Sequence, residues 1–241
     1  MSSTDLERPG WLEPLVAALA DPRRRDGVVA VRPGVGARQS AVLILLGAGA
    51  RGPQVLLVER AATLRSHPGQ IAFPGGAVDP GDADVADTAL REAAEECGVD
   101  RAGVVVLGSL PAAHVAVSGF DVTGVLAWWR RPAPVAPLDA AEVASVLLVD
   151  VADLVDPAHR AMVRHPLGYT GPAFEVAGHL VWGLTAHLLD GVLDLGGWSR
   201  PWDTGRRLAI PERYLRDRPR AGTVDQPSSI PSPEPGGPDA H

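Results

Sequence analysis

Phe73 to Val99 reads FPGGAVDPGDADVADTALREAAEECGV, and its pattern decides how the rest of the chain is read. It leaves a short apolar segment, passes two adjacent glycines and enters an acidic turn, Asp79-Pro80-Gly81-Asp82, whose residue types are those that bend a backbone. A helix should follow. Asp84 is its expected N-cap with Asp87 three residues on in a box-like position, and Gly98 is its natural stop. Leu90, Ala93, Ala94 and Cys97 are available for the side facing a core. Positions three and four apart share a helix face, so Glu92, Glu95 and Glu96 should point one way. Like charges at that spacing cost roughly 0.2–0.5 kcal/mol per pair. Arg91 is the sole basic residue between Gly75 and Asp100. It stands four before Glu95 and can pair with it from the flank, which leaves Glu92 and Glu96 without a local cation. Two readings follow. One is a glutamate-rich solvated helix. The other is a carboxylate cluster completed by a hard divalent cation, Mg²⁺ before others, with Gly75 and Gly76 letting backbone carbonyls come close.

The same residues resemble the Nudix box. In that family a glycine is followed by five residues, a Glu, seven residues and then R-E-apolar-x-E-E-x-G-apolar. Arg91-Glu92-Ala93-Ala94-Glu95-Glu96-Cys97-Gly98-Val99 fits the second half completely. The first half departs twice: Asp82 stands in place of Glu, and eight residues separate it from Arg91. Upstream, Arg60, Arg65, Gly69 and Phe73-Pro74-Gly75-Gly76 resemble the extra motif of the coenzyme A pyrophosphatase branch, although Val58 stands where that branch has Thr. Val181-Trp182-Gly183-Leu184-Thr185-Ala186 is similar to a helix of the same branch.

The resemblance covers about residues 38–200 and implies an α/β/α sandwich with a mixed sheet between helices. It implies a Mg²⁺- or Mn²⁺-dependent diphosphatase that splits coenzyme A or its thioesters into adenosine 3′,5′-bisphosphate and (acyl-)4′-phosphopantetheine. Glu92 and Glu96 would be direct metal ligands, Glu95 a direct or water-mediated third, and the Gly75 carbonyl a further one. Arg91 would position Glu95, and a box glutamate or Glu142 would serve as base. Arg60, Arg65, Gly75 and Gly76 would meet the substrate. Guanidinium groups suit phosphate because they donate two parallel hydrogen bonds, although both arginines can equally pair with nearby acids, and His67 reads as a loop residue. ADP-ribose, a dinucleotide or a nucleoside triphosphate as substrate is the alternative within the same chemistry, and a ligand-binding module without turnover is the alternative outside it.

Composition narrows the classes. The 241 residues suit one domain with extensions, and 46% apolar residues can fill a sizeable core. A net charge of −7 argues against a general nucleic-acid or anionic-membrane surface. The partners expected are a small-molecule substrate, no nucleic acid and no membrane, with a homodimer left open. All 22 basic residues are arginine. The single cysteine, Cys97, cannot form an internal disulfide; this fits a reducing cytoplasm, and its place within the helix favours core over nucleophile.

Along the chain, residues 1–36 read as an N-terminal extension with a short helix over 11–19 and a basic turn at Arg23-Arg24-Arg25. Residues 37–215 read as the catalytic domain and 216–241 as a disordered tail rich in Pro, Ser and Gly. Strands are expected over 40–46, 55–58, 70–73, 104–110, 121–129 and 143–149, the first two as a hairpin or as neighbouring strands. A loop should span 111–119, an extended connector 132–139 and a short helix 150–155. The pair Trp128-Trp129 reads as an apolar strand end or a base-stacking surface. A helix running from Val181 through Leu193 should pack on the sheet, ended by Gly196-Gly197.

Overall fold

The computed structural model describes residues 7–28, 38–115, 119–166, 168 and 170–215. The first helices are α1 (Glu13–Ala20) and α2 (Pro22–Asp26). Strands β1 (Arg38–Gly49), β2 (Gly52–Arg60), β3 (Ile71–Ala72) and β4 (Gly75–Ala77) lead into α3 (Val85–Cys97). Then come β5 (Val104–Ser109), β6 (Ala113–Val115), β7 (Phe120–Trp129), β8 (Val143–Asp150) and α4 (Val151–Leu154). The C-terminal part holds β9 (Arg160–Arg164), β10 (Thr170–Val176), β11 (His179–Val181), α5 (Gly183–Leu195) and β12 (Arg207–Leu208).

The larger sheet is ordered β3-β2-β1-β7-β5, with β4 added to β1, β6 to β7 and β8 to β2. β1 and β7 run parallel from Arg38↔Phe120 to Leu46↔Trp128, while the other pairs are antiparallel. Two strands divide one edge of β1. β2 holds its far end from Leu46↔Val55 to Gly49↔Gly52, while β8 pairs along the other edge of β2 from Gln54 to Arg60. The vacated start of β1 takes β4, from Ser40↔Ala77 to Val42↔Gly75. That division brings Gly75 and Gly76 into the sheet beside the helix that follows them. They form a strand, not the loop expected of two glycines.

Alternation of buried residues makes the sheet two-faced. Ala41, Leu43 and Leu45 join Leu56, Val58, Val125 and Ala127 under α3, which supplies Ala89, Ala93 and Cys97. Small helix residues let the α3 backbone come close to the strands. Ala89 replaces Ala94 in the expected core set, Ala94 being only partly buried. Ile44, Leu46, Leu57, Leu126 and Trp128 face the other way, against Leu12, Leu15 and Leu19 around α1 and Leu188, Leu189 and Val192 of α5. The result is the expected sandwich: helix, mixed sheet, helices. Trp128 and Trp129 are buried in opposite layers, which removes them from any base-stacking surface.

Three expectations are corrected. Arg23, Arg24 and Arg25 lie in a helical turn, where Pro22 opens α2 and the Asp21 side chain accepts from the Arg23 N–H. The loop over 111–119 contains β6, paired with β7 from Ala113↔Val122 to Val115↔Phe120. α5 starts at Gly183 because Val181 belongs to β11. A second, four-stranded sheet, β11-β10-β9-β12, was not expected at all. Its strands are short, β10 carries Gly171 and Pro172, and one of its fully buried large side chains is charged Arg160, so the usual strand signals are weak. The tail over 216–241 lies outside the described residues. Among the described residues no helix is long and apolar enough to cross a membrane.

Candidate active site

α3 begins where Asp84, in extended backbone, accepts from the Ala86 and Asp87 N–H groups, both at 2.8 Å. Asp87 reaches back to the Ala83 N–H at 3.1 Å. Gly98 closes the helix in the left-handed conformation, φ 73°. These caps fix the ends of α3, and the packing of Ala89, Ala93 and Cys97 on the sheet decides which glutamates turn inward. Glu96 does: it is 5% exposed, and its Oε2 accepts from the Gly75 N–H at 3.1 Å. A Cβ on Gly76 would overlap the Glu92 carboxylate, and one on Gly75 would overlap Ala41 and Val42 of β1. Gly76 therefore clears the space for the Glu92 carboxylate, and Gly75 lets β4 approach β1.

The direction of the Gly75 carbonyl follows from the ladder. Leu43 N–H donates to Pro74 C=O and Val78 N–H donates to Gln39 C=O, so alternate residues here turn toward β1 and Gly75 turns away. Its N–H meets Glu96, and its carbonyl opens on the same side.

Glu95 turns outward. Its side chain is 60% exposed, and its Oε2 accepts from Arg91 Nη1 at 3.0 Å. Arg91 also donates to Glu92 Oε1 at 3.0 Å, so Glu92 has a local cation after all. The same guanidinium grips Asp82 through Nε (2.9 Å) and Nη2 (3.0 Å) and donates to the Ala77 carbonyl at 3.2 Å. Asp82, with a side chain only 4% exposed, further accepts from the Asp79 N–H and the Thr88 hydroxyl. The Arg91 bonds, then the Asp79 N–H, hold the Asp82 carboxyl well below the usual carboxylate range. Asp82, offset by one residue from the family spacing, is thus the partner that orients Arg91.

Glu96 and Glu92 experience the opposite pull. Burial pushes the Glu96 carboxyl up to about 7, partly opposed by the Gly75 N–H and by the positive charge of Arg60, and increased by Glu92 and Glu142. Burial likewise raises Glu92, against the Arg91 bond. Arg60 is aimed here by register. It continues the Leu56, Val58 row that faces α3, next to a break in pairing where Glu59↔Ser145 is followed by Arg60↔Val143. Glu142 arrives beside it, its carbonyl accepting from the Ala61 N–H at 2.8 Å. The Nε of Arg60 is buried and has no hydrogen-bond partner among the described residues. Arg65 is exposed in the following loop. His67, on the same loop, has positive φ, 56°.

Among the described residues no group of three or more His, Cys, Asp or Glu side chains is gathered tightly enough to hold a metal ion. Arg91 draws Glu95 outward, which explains why the helix cluster does not close as a trio. The donor chemistry on the inner side nevertheless fits a hard divalent cation: a buried and a partly buried carboxylate, both raised by burial, and an outward carbonyl at Gly75. Cys97 is buried with its thiol pushed up to about 12 by burial, the state of a core residue and not of a nucleophile. Sequence reasoning passed over Thr88 and Gln70. Thr88, which supports Asp82, is one polar residue among many in the helix and carries no spacing signal.

A protein-family model described as the NUDIX domain matches residues 37–166. An "Uncharacterized Nudix hydrolase NudL" of Citrobacter koseri is 52% identical over 89 residues, 37% of this chain and 45% of the relative. A protein of the same description from Photorhabdus laumondii is 36% identical over 144 residues, 57% of this chain and 74% of the relative. The chain thus spans about half the length of the first of these curated relatives (45%). Among solved structures, "Crystal structure of a Nudix Hydrolase from M. Smegmatis, RenU" aligns with TM-score 0.49 at 20% identity, covering 69% of this chain and 89% of that one.

Proposed function

This chain belongs to the Nudix family, and from that membership we propose that it hydrolyses the diphosphate linkage of coenzyme A or its thioesters. The products are adenosine 3′,5′-bisphosphate and 4′-phosphopantetheine, acylated where the substrate was. Water adds across one P–O–P bond. The observation that carries the reading is the buried pair Glu92 and Glu96, held over Gly75 and Gly76 with Arg60 and Glu142 alongside.

Glu92, Glu96 and the Gly75 carbonyl would hold Mg²⁺ or Mn²⁺, and Glu95 would add a direct or water-mediated contact. A divalent cation bound there supplies charge neutralisation for the diphosphate oxygens and a more acidic water. The remaining roles belong to the chain itself. Arg91, locked to Asp82, sets the direction of Glu92 and holds Glu95 at the rim. Arg60 contributes the positive charge of its guanidinium toward a phosphate at this site, and Arg65 offers a second guanidinium from the loop. Glu142 takes the proton of the attacking water, since it is exposed at the site's edge and lies close enough to Glu92 and Glu96 to influence both.

Mass analysis of products from a panel of coenzyme A, acetyl-coenzyme A, ADP-ribose, a dinucleoside polyphosphate and a nucleoside triphosphate, with and without Mg²⁺, tests this directly. Coenzyme A compounds should have the highest kcat/KM, and Glu96→Gln should lose turnover by orders of magnitude while keeping its circular dichroism. A clear win for ADP-ribose removes the coenzyme A assignment. Near-normal rates in Glu96→Gln remove Glu96 from the chemistry.

A further inference from the structure

The segment between β2 and β3 carries Arg65 and leads from Arg60 toward the glycine pair, with two turns of its own, Leu64 N–H to the Ala61 carbonyl and Gln70 N–H to the His67 carbonyl. His67 and Gly69 both have positive φ, 56° and 66°. For His67 that is a left-handed conformation that side chains other than glycine seldom adopt. The segment is closed at its base by Arg60, whose N–H donates to the Gln70 carbonyl (2.9 Å) and whose carbonyl accepts from the Gly69 N–H (3.1 Å). A strained loop persists only where its surroundings over-determine it. Part of those surroundings comes from the far end of the chain. Gln70 Nε2 donates to the Tyr214 carbonyl at 2.9 Å, across 144 positions. The Tyr214 ring lies against Gly69, its Cε1 3.9 Å from where a Cβ would stand.

Tyr214 is itself firmly seated. It is 2% exposed and packs with Ile210, Val163, Ala173 and Leu180 in the small core of the second sheet. Its turn, Glu212–Tyr214, is closed by the Tyr214 N–H donating to the Pro211 carbonyl and the Leu215 N–H donating to the Glu212 carbonyl. Arg213 lays its guanidinium over the Tyr214 ring, 4.6 Å from its centre.

We propose that the turn around Tyr214 is a brace that holds the Arg60–Gln70 loop in its substrate-binding shape, with Gln70 and Tyr214 as positioning residues. The second sheet then contributes to substrate recognition without touching the reacting atoms. This rests on the diphosphatase reading only for the identity of the substrate. The brace itself is a claim about the loop. A single hydrogen bond to a buried carbonyl carries the link, and losing its donor leaves that carbonyl unsatisfied.

The test compares Gln70→Glu, which keeps the shape and replaces the donor by an acceptor, with Gln70→Lys, which can still donate to the Tyr214 carbonyl. Amide hydrogen exchange at 67–70 should quicken about tenfold in Gln70→Glu and return toward the wild type in Gln70→Lys. With the best-hydrolysed diphosphate of the panel, KM should rise about tenfold in Gln70→Glu with kcat nearly unchanged, and Gln70→Lys should recover most of it. Exchange and KM both unmoved in Gln70→Glu, or Lys as poor as Glu in both, overturn the brace. If the wild-type protein hydrolyses no diphosphate, the functional proposal fails and the exchange comparison alone decides this one.

Discussion

Two arginines, Arg91 on α3 and Arg60 at the end of β2, stand by the α3 glutamates and are used in opposite ways. Arg91 spends its guanidinium inside the protein: on both oxygens of Asp82, on Glu92 and Glu95, and on the Ala77 carbonyl. Arg60 stands on the other side, opposite Glu96, with a buried Nε that has no partner among the described residues. An arginine whose donors are fully engaged is part of the scaffold. One buried at a partial loss, beside carboxylates whose own charge is disfavoured, is arranged for something that arrives later. The difference separates the machinery that shapes the site from the groups left to bind.

Removing each arginine is the strongest way to break the comparison. Arg91→Ala strips a nearly buried aspartate of its principal partner and leaves three carboxylates around an empty space. We expect the melting temperature to fall by about 5 °C or more, together with activity. Arg91→Lys should recover little, because an ammonium cannot serve both Asp82 oxygens and two glutamates in one plane. A variant that melts like the wild type would show that Asp82 is held by Asp79 and Thr88 alone.

Arg60→Ala should behave in the reverse sense. The fold loses a side chain whose Nε makes no hydrogen bond, so the melting temperature should shift by no more than about 2 °C. KM for the diphosphate should rise about tenfold, with a smaller change in kcat. If Arg60→Ala destabilises as much as Arg91→Ala, the two arginines share one architectural role and the contrast disappears.

The contrast was only half legible in the sequence. The helix, its Asp84 cap, its Gly98 stop and the adjacency of three glutamates follow from spacing, because helix geometry is local and periodic. Which glutamate turns inward is not local. Glu95 and Glu96 are neighbours in sequence, and only the rotation of α3 over Ala41, Leu43 and Val125 separates a buried residue from an exposed one. The pairing of Arg91 with Asp82 was hidden for a similar reason: the partner lies nine positions back, across a turn, and not at a helical spacing. Arg60 owes its direction to strand register and to the irregular pairing beside it, neither of which a run of apolar residues discloses. The second sheet escaped notice because its strands are short, carry glycine and proline, and include a buried arginine.

A smaller effect sharpens the comparison through pH. With Glu96 pushed up to about 7 from an ordinary 4.5, the metal-free fold prefers this carboxyl protonated. Its favourable contribution is therefore fully present below the unfolded value and is lost as pH rises through the folded one. Glu92 is raised in the same direction. Asp82 is lowered, so its contribution persists across this window and fades only in strong acid. Between roughly pH 5 and pH 8 the melting temperature of the metal-free protein should thus decline relative to that of Glu96→Gln, which has no proton to lose at this position. Added Mg²⁺ should offset the decline in the wild type and do little for the variant, because a cation substitutes for the missing proton only where the carboxylate exists. Thermal melts across pH, with chelator and then with Mg²⁺, read both differences. Parallel curves for the two proteins would mean that Glu96 is well solvated, and the inner side of α3 would then have no unmet charge for a cation to answer.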